Sequence, residues 1–173
     1  MGSTPEMVQF LLDKGADPKI NYWDRDLMQS WARSKASPEM FNVLSKYGFD
    51  LNTSTSFGMS PFKEIILRGN HSALEFLLPK IENIHKDPIY GDVLSVYGRS
   101  RGDPEFKKLK LLLNKIGVKH HFFGGKTVLH RLAEVVMDEY STHKDIPPEI
   151  VQDLISRGAD PKETDDKGKK PID

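Results

Sequence analysis

The chain contains no cysteine. Disulfides and thiolate-held metals are therefore excluded, and a reducing compartment is permitted. Neither sign of charge is in excess, since Lys plus Arg and Asp plus Glu each number 25. A balanced chain of this kind generates no global field to draw in nucleic acid or an anionic membrane. No apolar run approaches the ~18 residues of a membrane span, and no signal-type apolar segment follows the amino terminus. There is no complete phosphate-binding loop, nucleophile elbow or His-Glu-x-x-His motif. Gly124-Gly125-Lys126-Thr127 has the look of a phosphate-loop end, but Lys119 or His120 stands where its first glycine would be. Carboxylate pairs such as Asp138-Glu139 have no second carboxylate that the sequence can place opposite them. No catalytic residue, metal site or cofactor is assigned, and neither nucleic acid nor membrane is expected as a partner.

What the chain does have is internal repetition. Pro5-Glu6-Met7-Val8-Gln9-Phe10-Leu11-Leu12-Asp13-Lys14-Gly15-Ala16-Asp17-Pro18-Lys19 is echoed by Pro148-Glu149-Ile150-Val151-Gln152-Asp153-Leu154-Ile155-Ser156-Arg157-Gly158-Ala159-Asp160-Pro161-Lys162. Pro38-Glu39 follows Pro5 at a step of 33 residues, and Pro104-Glu105 follows 66 residues later. A period near 33 marks stacked units, none of which buries its apolar face alone. Thr4, Ser37 and Asp103 can cap these helices, proline suits the first helical position, and the glutamate complements the dipole. Met7, Phe10 and Leu11, then Met40, Val43 and Leu44, then Val151, Leu154 and Ile155 form i, i+3, i+4 stripes expected to be buried. Gly15, Gly48 and Gly158 close the helices.

A second, weaker element lies between them. Ser60-Pro61-Phe62-Lys63-Glu64-Ile65-Ile66-Leu67-Arg68-Gly69-Asn70 and Thr127-Val128-Leu129-His130-Arg131-Leu132-Ala133 open on a capping hydroxyl and carry apolar residues at helical spacing. These segments resemble the first helix of the ankyrin repeat, Thr-Pro-Leu-His-x-Ala-Ala followed by Gly-Asn or Gly-His. The Pro-Glu segments resemble its second helix and outgoing turn. Gly48 to Gly58 and Gly158 to Gly168 reproduce the family's finger spacing. Two further units are visible by internal alignment, with Asp26 to Lys35 matching Asp92 to Arg101 without gaps. Trp31 and Tyr97 stand there where the family prefers alanine, and helical spacing places both nearer the inter-repeat seam than the surface. The unit after Ser60 replaces its closing glycine by Ile81 and its opening proline by His71. Three residues are inserted before Gly117, and about ten between Ala133 and Pro147, as a helix extension or a loop.

The resemblance implies an all-α solenoid of helix-turn-helix units with projecting fingers. A single domain over 1–173 is expected, with a partial repeat at 1–25, repeats at about 26–58, 59–91, 92–125 and 126–168, and the start of another at 169–173. Opening in a second helix and closing at the start of a first, the chain reads as a piece of a longer array. Function is then expected to be protein–protein recognition through the surface of fingers and first helices, without catalysis. Two alternatives stay open. One is a targeting or regulatory region of an enzyme or secreted bacterial effector whose catalytic domain lies elsewhere. The other is a methyl-lysine reader whose cage would draw on Tyr22, Trp23, Trp31, Asp24 and Asp26. A monomer in the cytoplasm, or in a host cell's cytoplasm for an effector, completes the expectation.

Candidate contact residues follow from the same frame. Tyr22, Trp23 and Arg25 lie on the first finger, Phe57 and Met59 flank the glycine of the next, and His121, Phe122 and Phe123 sit on the fourth. Large aromatics on projecting tips are typical anchors of an interface. His130 occupies the Leu-His position, where the family uses histidine to bond neighbouring backbone, so a structural role outweighs a metal reading of His120, His121, His130 and His143. Arg101-Gly102-Asp103 falls on an inter-helix turn and is read as turn and cap rather than adhesion motif. Lys107, Lys108, Lys110 and Lys115, interleaved with leucines, are read as the solvated side of a helix.

Overall fold

The computed structural model describes residues 4–17, 19–20, 25–34, 37–51, 58–68, 71–81, 84, 92–100 and 102–172. Among these the regular elements are all helical: α1 Pro5–Asp13, α2 Leu27–Arg33, α3 Pro38–Ser45, α4 Pro61–Arg68, α5 His71–Leu77, α6 Val93–Gly98, α7 Lys107–Ile116, α8 Val128–Met137 and α9 Pro148–Ser156. The helices fall into two compact units, Met1–Lys80 and Ile81–Asp173.

In the first unit, α1 packs beside α3 and α2 beside α4, so second helices neighbour second helices and first neighbour first. The caps read from the sequence form: Thr4 Oγ1 accepts from Met7 N at 3.3 Å, and Ser37 Oγ from Met40 N at 3.3 Å. Met28, Ala32, Ile65, Ile66 and Leu74 build a core with essentially no solvent exposure. Glu64, buried on α4, takes Arg33 of α2 at 2.8 Å and Arg68 at 3.4 Å, which ties the two first helices by charge. Trp31 is buried, its Nε1 donating to Ser37 O at 3.0 Å and its ring tilted against Phe41. The expected stripe on α1 is corrected. Leu12 is the buried residue, whereas Met7, Phe10 and Leu11 are 53, 56 and 49% exposed, and the helix that α1 chiefly packs against is α3. After α5, where the family's closing glycine is missing, the chain takes a 3-10 turn at Leu78–Lys80 with Leu78 buried.

In the second unit, α6 packs on α8 and on α7. Asp92 caps α6 through Leu94 N and Ser95 N. The α7 start differs from expectation. The helix begins at Lys107, and Pro104-Glu105 form a turn ahead of it. Asp103 still serves the helix, accepting from Lys108 N and Leu109 N at 3.1 and 3.2 Å, while Tyr97 Oη donates to it at 3.0 Å. The chain reaches this arrangement by putting Phe106 in the left-handed region, φ 55°, an uncommon conformation for a residue with a side chain. The later start also turns Lys108 inward with Leu109 and Leu112, so Lys108 is not part of an exposed basic face. The insertion resolves as a loop, since α8 ends at Met137 and 138–147 is irregular.

Leu44, Leu77 and Leu154 are all essentially buried. Leu154→Ala should therefore lower stability by about 2–5 kcal/mol. Hydrogen exchange should show the loss of protection concentrated in α9 and its neighbours, because repeat units couple chiefly to adjacent ones. A uniform loss across the chain would contradict that coupling.

Candidate functional site

Residues 117–127 of the second unit form a finger between α7 and α8. Its two limbs meet where Phe122 N donates to Lys126 O at 2.7 Å, an isolated antiparallel bridge. Gly124 and Gly125 turn the tip at φ 80° and 69°. A side chain at Gly125 would also strike Asp166 Oδ1, 2.3 Å from where a Cβ would stand. The next finger, 159–170, lies against this one: Asp166 N donates to Gly124 O at 3.0 Å, and His121 Nε2 meets Glu163 Oε1 at 2.6 Å. His130 binds the two fingers to the helix layer. Its Nδ1 accepts from Thr127 N at 3.2 Å within a capping box, and its Nε2 reaches Lys169 O at 2.8 Å. The backbone-bonding role implied for this histidine is the one it plays.

Extended backbone sends successive side chains to opposite sides, and the finger's two phenylalanines part accordingly. Phe123 points to solvent and is 96% exposed. Phe122 is only 6% exposed, which corrects its reading as a contact residue. Its ring takes His120 edge-on at 4.7 Å and lies 5.5 Å from the Arg131 guanidinium. Burial holds the His120 imidazole below its ordinary value; His121 adds to that and Asp92 opposes it.

Beside Phe122 runs a chain of charges along the first helices. Arg131 bridges Asp92 of α6 and Glu134 of its own helix, and Lys126 of the finger joins Glu134. Burial pushes the Glu134 carboxyl up, but the hydrogen bonds from Lys126 and Arg131 outweigh it and hold the group below its usual range. This chain of charges escaped the sequence reading, in which Asp92 only marked the start of an aligned segment. The one local signal was the i, i+3 spacing of Arg131 and Glu134.

The remaining candidates are placed unevenly. Arg25 and Met59 are half-buried, and the Gln29 side chain donates to Met59 O at 3.4 Å. Tyr22, Trp23 and Phe57 lie outside the described residues. Trp31, buried and bonded to Ser37, cannot wall an open cage, so a methyl-lysine reader would lose one of its few aromatics. Among the described residues no group of three or more His, Cys, Asp and Glu side chains could hold a metal ion. No helix there is long and apolar enough to cross a membrane.

On the second-helix side of this unit, α7 and α9 enclose a groove of about 800 Å³, walled by Phe106, Leu113, Pro147 and Ile150 with Glu105 and Arg157 at its margins. Its charges are largely matched within the chain. Lys107 pairs with Glu105 at 2.6 Å, and Arg157 pairs with Asp153 and Asn114 at 3.1 and 2.9 Å.

No protein-family model and no curated protein matches the sequence. Solved structures do match. The ankyrin repeat domain of Bcl-3, a member of the IkappaB protein family, aligns with a TM-score of 0.67 at 18% identity, over 96% of this chain and 71% of that one. EF0377, an ankyrin repeat protein, aligns with a TM-score of 0.66 at 20% identity, over 97% of this chain and 82% of that one. Capped helix pairs, glycine-turned fingers and a histidine bonding finger to helix accompany this likeness over nearly the whole length: the chain has the ankyrin-repeat fold.

Proposed function

We propose that the chain is a protein-recognition module that binds a partner through its fingers and first helices and performs no chemistry of its own. The observation that carries this reading is Phe123. It is a large apolar side chain almost fully in water on a finger whose backbone is fixed by Gly124, Asp166 and the Phe122–Lys126 bridge. A rigid, exposed aromatic meets a partner at little entropic cost. The charges of Asp92, Arg131, Glu134 and Lys126 lie in the same unit along the first helices and finger, where polar groups can supply orientation. We assign Tyr22, Trp23, Arg25, Phe57 and Met59 of the earlier fingers to the same surface, on their position in the repeat. We also take the chain as one array with repeats at about 26–58, 59–91, 92–125 and 126–168, acting as a monomer in the cytoplasm.

Lysines report on the two sides of the second unit separately. Lys119, Lys126, Lys162, Lys167 and Lys169 belong to fingers, whereas Lys107, Lys110 and Lys115 belong to α7. With the partner recovered by affinity capture, lysine cross-linking followed by mass spectrometry should join it to the finger lysines. Cross-links confined to the α7 lysines would put the interface on the second helices and defeat the proposal.

A further inference from the structure

The inserted loop 138–147 is tied at its start by Asp138, which pairs with Arg99 at 3.8 Å, and again around Thr142. Thr142 N donates to Gly98 O at 2.9 Å, Thr142 Oγ1 donates to Ser100 O, and Ser141 Oγ accepts from His143 N at 3.1 Å. These contacts deliver the His143 imidazole flat onto the Tyr97 ring, with centroids 4.4 Å apart and planes 12° from parallel. Nε2 lies 3.2 Å from Ser100 Oγ, Phe106 closes the side at 6.1 Å, and His143 is only 8% exposed. Pro147, at the far end of the same loop, is a wall of the groove between α7 and α9.

We propose that this loop is an acid-released latch, in which protonation of His143 frees 138–147 from α6 and opens the Pro147 end of the groove. The groups facing the imidazole explain why a neutral ring fits and a charged one does not. From α6 come the Tyr97 phenol and Ser100. The Asp103 carboxylate follows from the turn, but its oxygens are already engaged by Tyr97 Oη, Lys108 N and Leu109 N. From α7 comes the Lys108 side chain, itself buried, with its ammonium drawn below its ordinary value by that burial. An imidazolium here would be desolvated, and the Asp103 carboxylate that could offset it is shared with the nearby Lys108 ammonium, so burial is the larger effect. Burial accordingly lowers the His143 value; Lys108 adds to this, while the Ser100 backbone and Asp103 oppose it.

The sign follows from linkage. The released loop carries a histidine of ordinary affinity, near 6.5, and binds a proton more readily than the docked loop. Docking is at full strength above that value and weakens as pH falls through it toward the depressed one.

The test uses the full chain. Amide exchange read by mass spectrometry, corrected for intrinsic rates, should show protection of 138–147 at about pH 7.5 and its loss at about pH 5, with α8 and α9 unchanged at both. His143→Phe, which can stack but cannot titrate, should keep the loop protected at both values. Unchanged protection of the wild-type loop on acidification, or equal acid loss in His143→Phe, would overturn the latch. Should the variant dock poorly at either pH, the His143 ring titrated by NMR in the wild-type chain decides. A value below that of free histidine, together with acid loss of protection in the wild-type loop, upholds the proposal, and one at or above it ends it.

Discussion

Trp31→Ala should be among the most damaging single changes in the first unit, at about 3–5 kcal/mol. The ring is 6% exposed and packs on Phe41, which in turn meets Phe76 of α5 edge-on at 5.8 Å. Its removal therefore opens a cavity between α2 and α3, where the surrounding helices relax only in part. The indole also donates to Ser37 O, the carbonyl of the residue that caps α3. Trp31→Phe separates the two contributions, keeping most of the volume and losing the bond, for a cost of about 1 kcal/mol from the lost hydrogen bond plus a modest packing loss. Urea denaturation followed by circular dichroism gives both numbers. A cost below about 1 kcal/mol for alanine would show that the ring does not act as core.

Alanine at Phe123, together with Tyr22 and Trp23, should leave folding nearly intact and reduce affinity for the partner by on the order of 2 kcal/mol or more. Phe123 contributes little to the folded state because it is almost wholly exposed. An anchor of this kind gains its apolar burial only in the complex. The matched control is Lys107→Ala with Lys110→Ala. Lys108 is unsuitable because it is buried. Lys107 and Lys110 are exposed, and charges at such positions contribute little. Isothermal calorimetry with the captured partner makes the comparison, with circular dichroism to verify folding. Binding that survives the triple change and fails in the lysine double would reverse the assignment of faces. Unfolding of the triple variant would mean that Tyr22 and Trp23 are core, leaving Phe123→Ala alone to test the finger.

Much of this fold was legible because its signals are local. Thr4 and Ser37 cap where a hydroxyl precedes Pro-Glu, Gly15, Gly48 and Gly158 take positive φ, and His130 bonds its own turn. The misreadings arose where a distant partner overrode a local rule. Asp103 precedes Pro-Glu as Ser37 does, but Tyr97 claims its carboxylate and the α7 start moves to Lys107. Met7, Phe10 and Leu11 share the spacing of Met40, Val43 and Leu44, and spacing does not say which faces have a neighbour. At the site, adjacency in sequence concealed opposition in space: Phe122 and Phe123 were equivalent as letters, and the bridge to Lys126 turned one inward. The charge chain through Arg131 joins the cap of α6, α8 and a finger, and only its Arg131–Glu134 step has a linear signal.

The paired aromatics at Trp31 and Tyr97 have a consequence for how such chains change over time. Each sits six residues before the residue it bonds, and each meets the same need with different atoms: an indole N–H to a serine carbonyl, a phenol O–H to an aspartate side chain. Tyrosine at position 31 would place its hydroxyl farther from the ring than the indole nitrogen and would lose the fit to Ser37. Tryptophan at 97 would crowd the flat seat that His143 occupies. At 97 the aromatic and its acceptor are therefore tied in identity, since the phenol bonds a side-chain carboxylate at 103, whereas at 31 the acceptor is a backbone carbonyl that any residue at 37 supplies. A change at 37 would thus spare the indole's bond while removing the cap on Met40 N, whereas a change at 103 would break the phenol's bond and the helix's together.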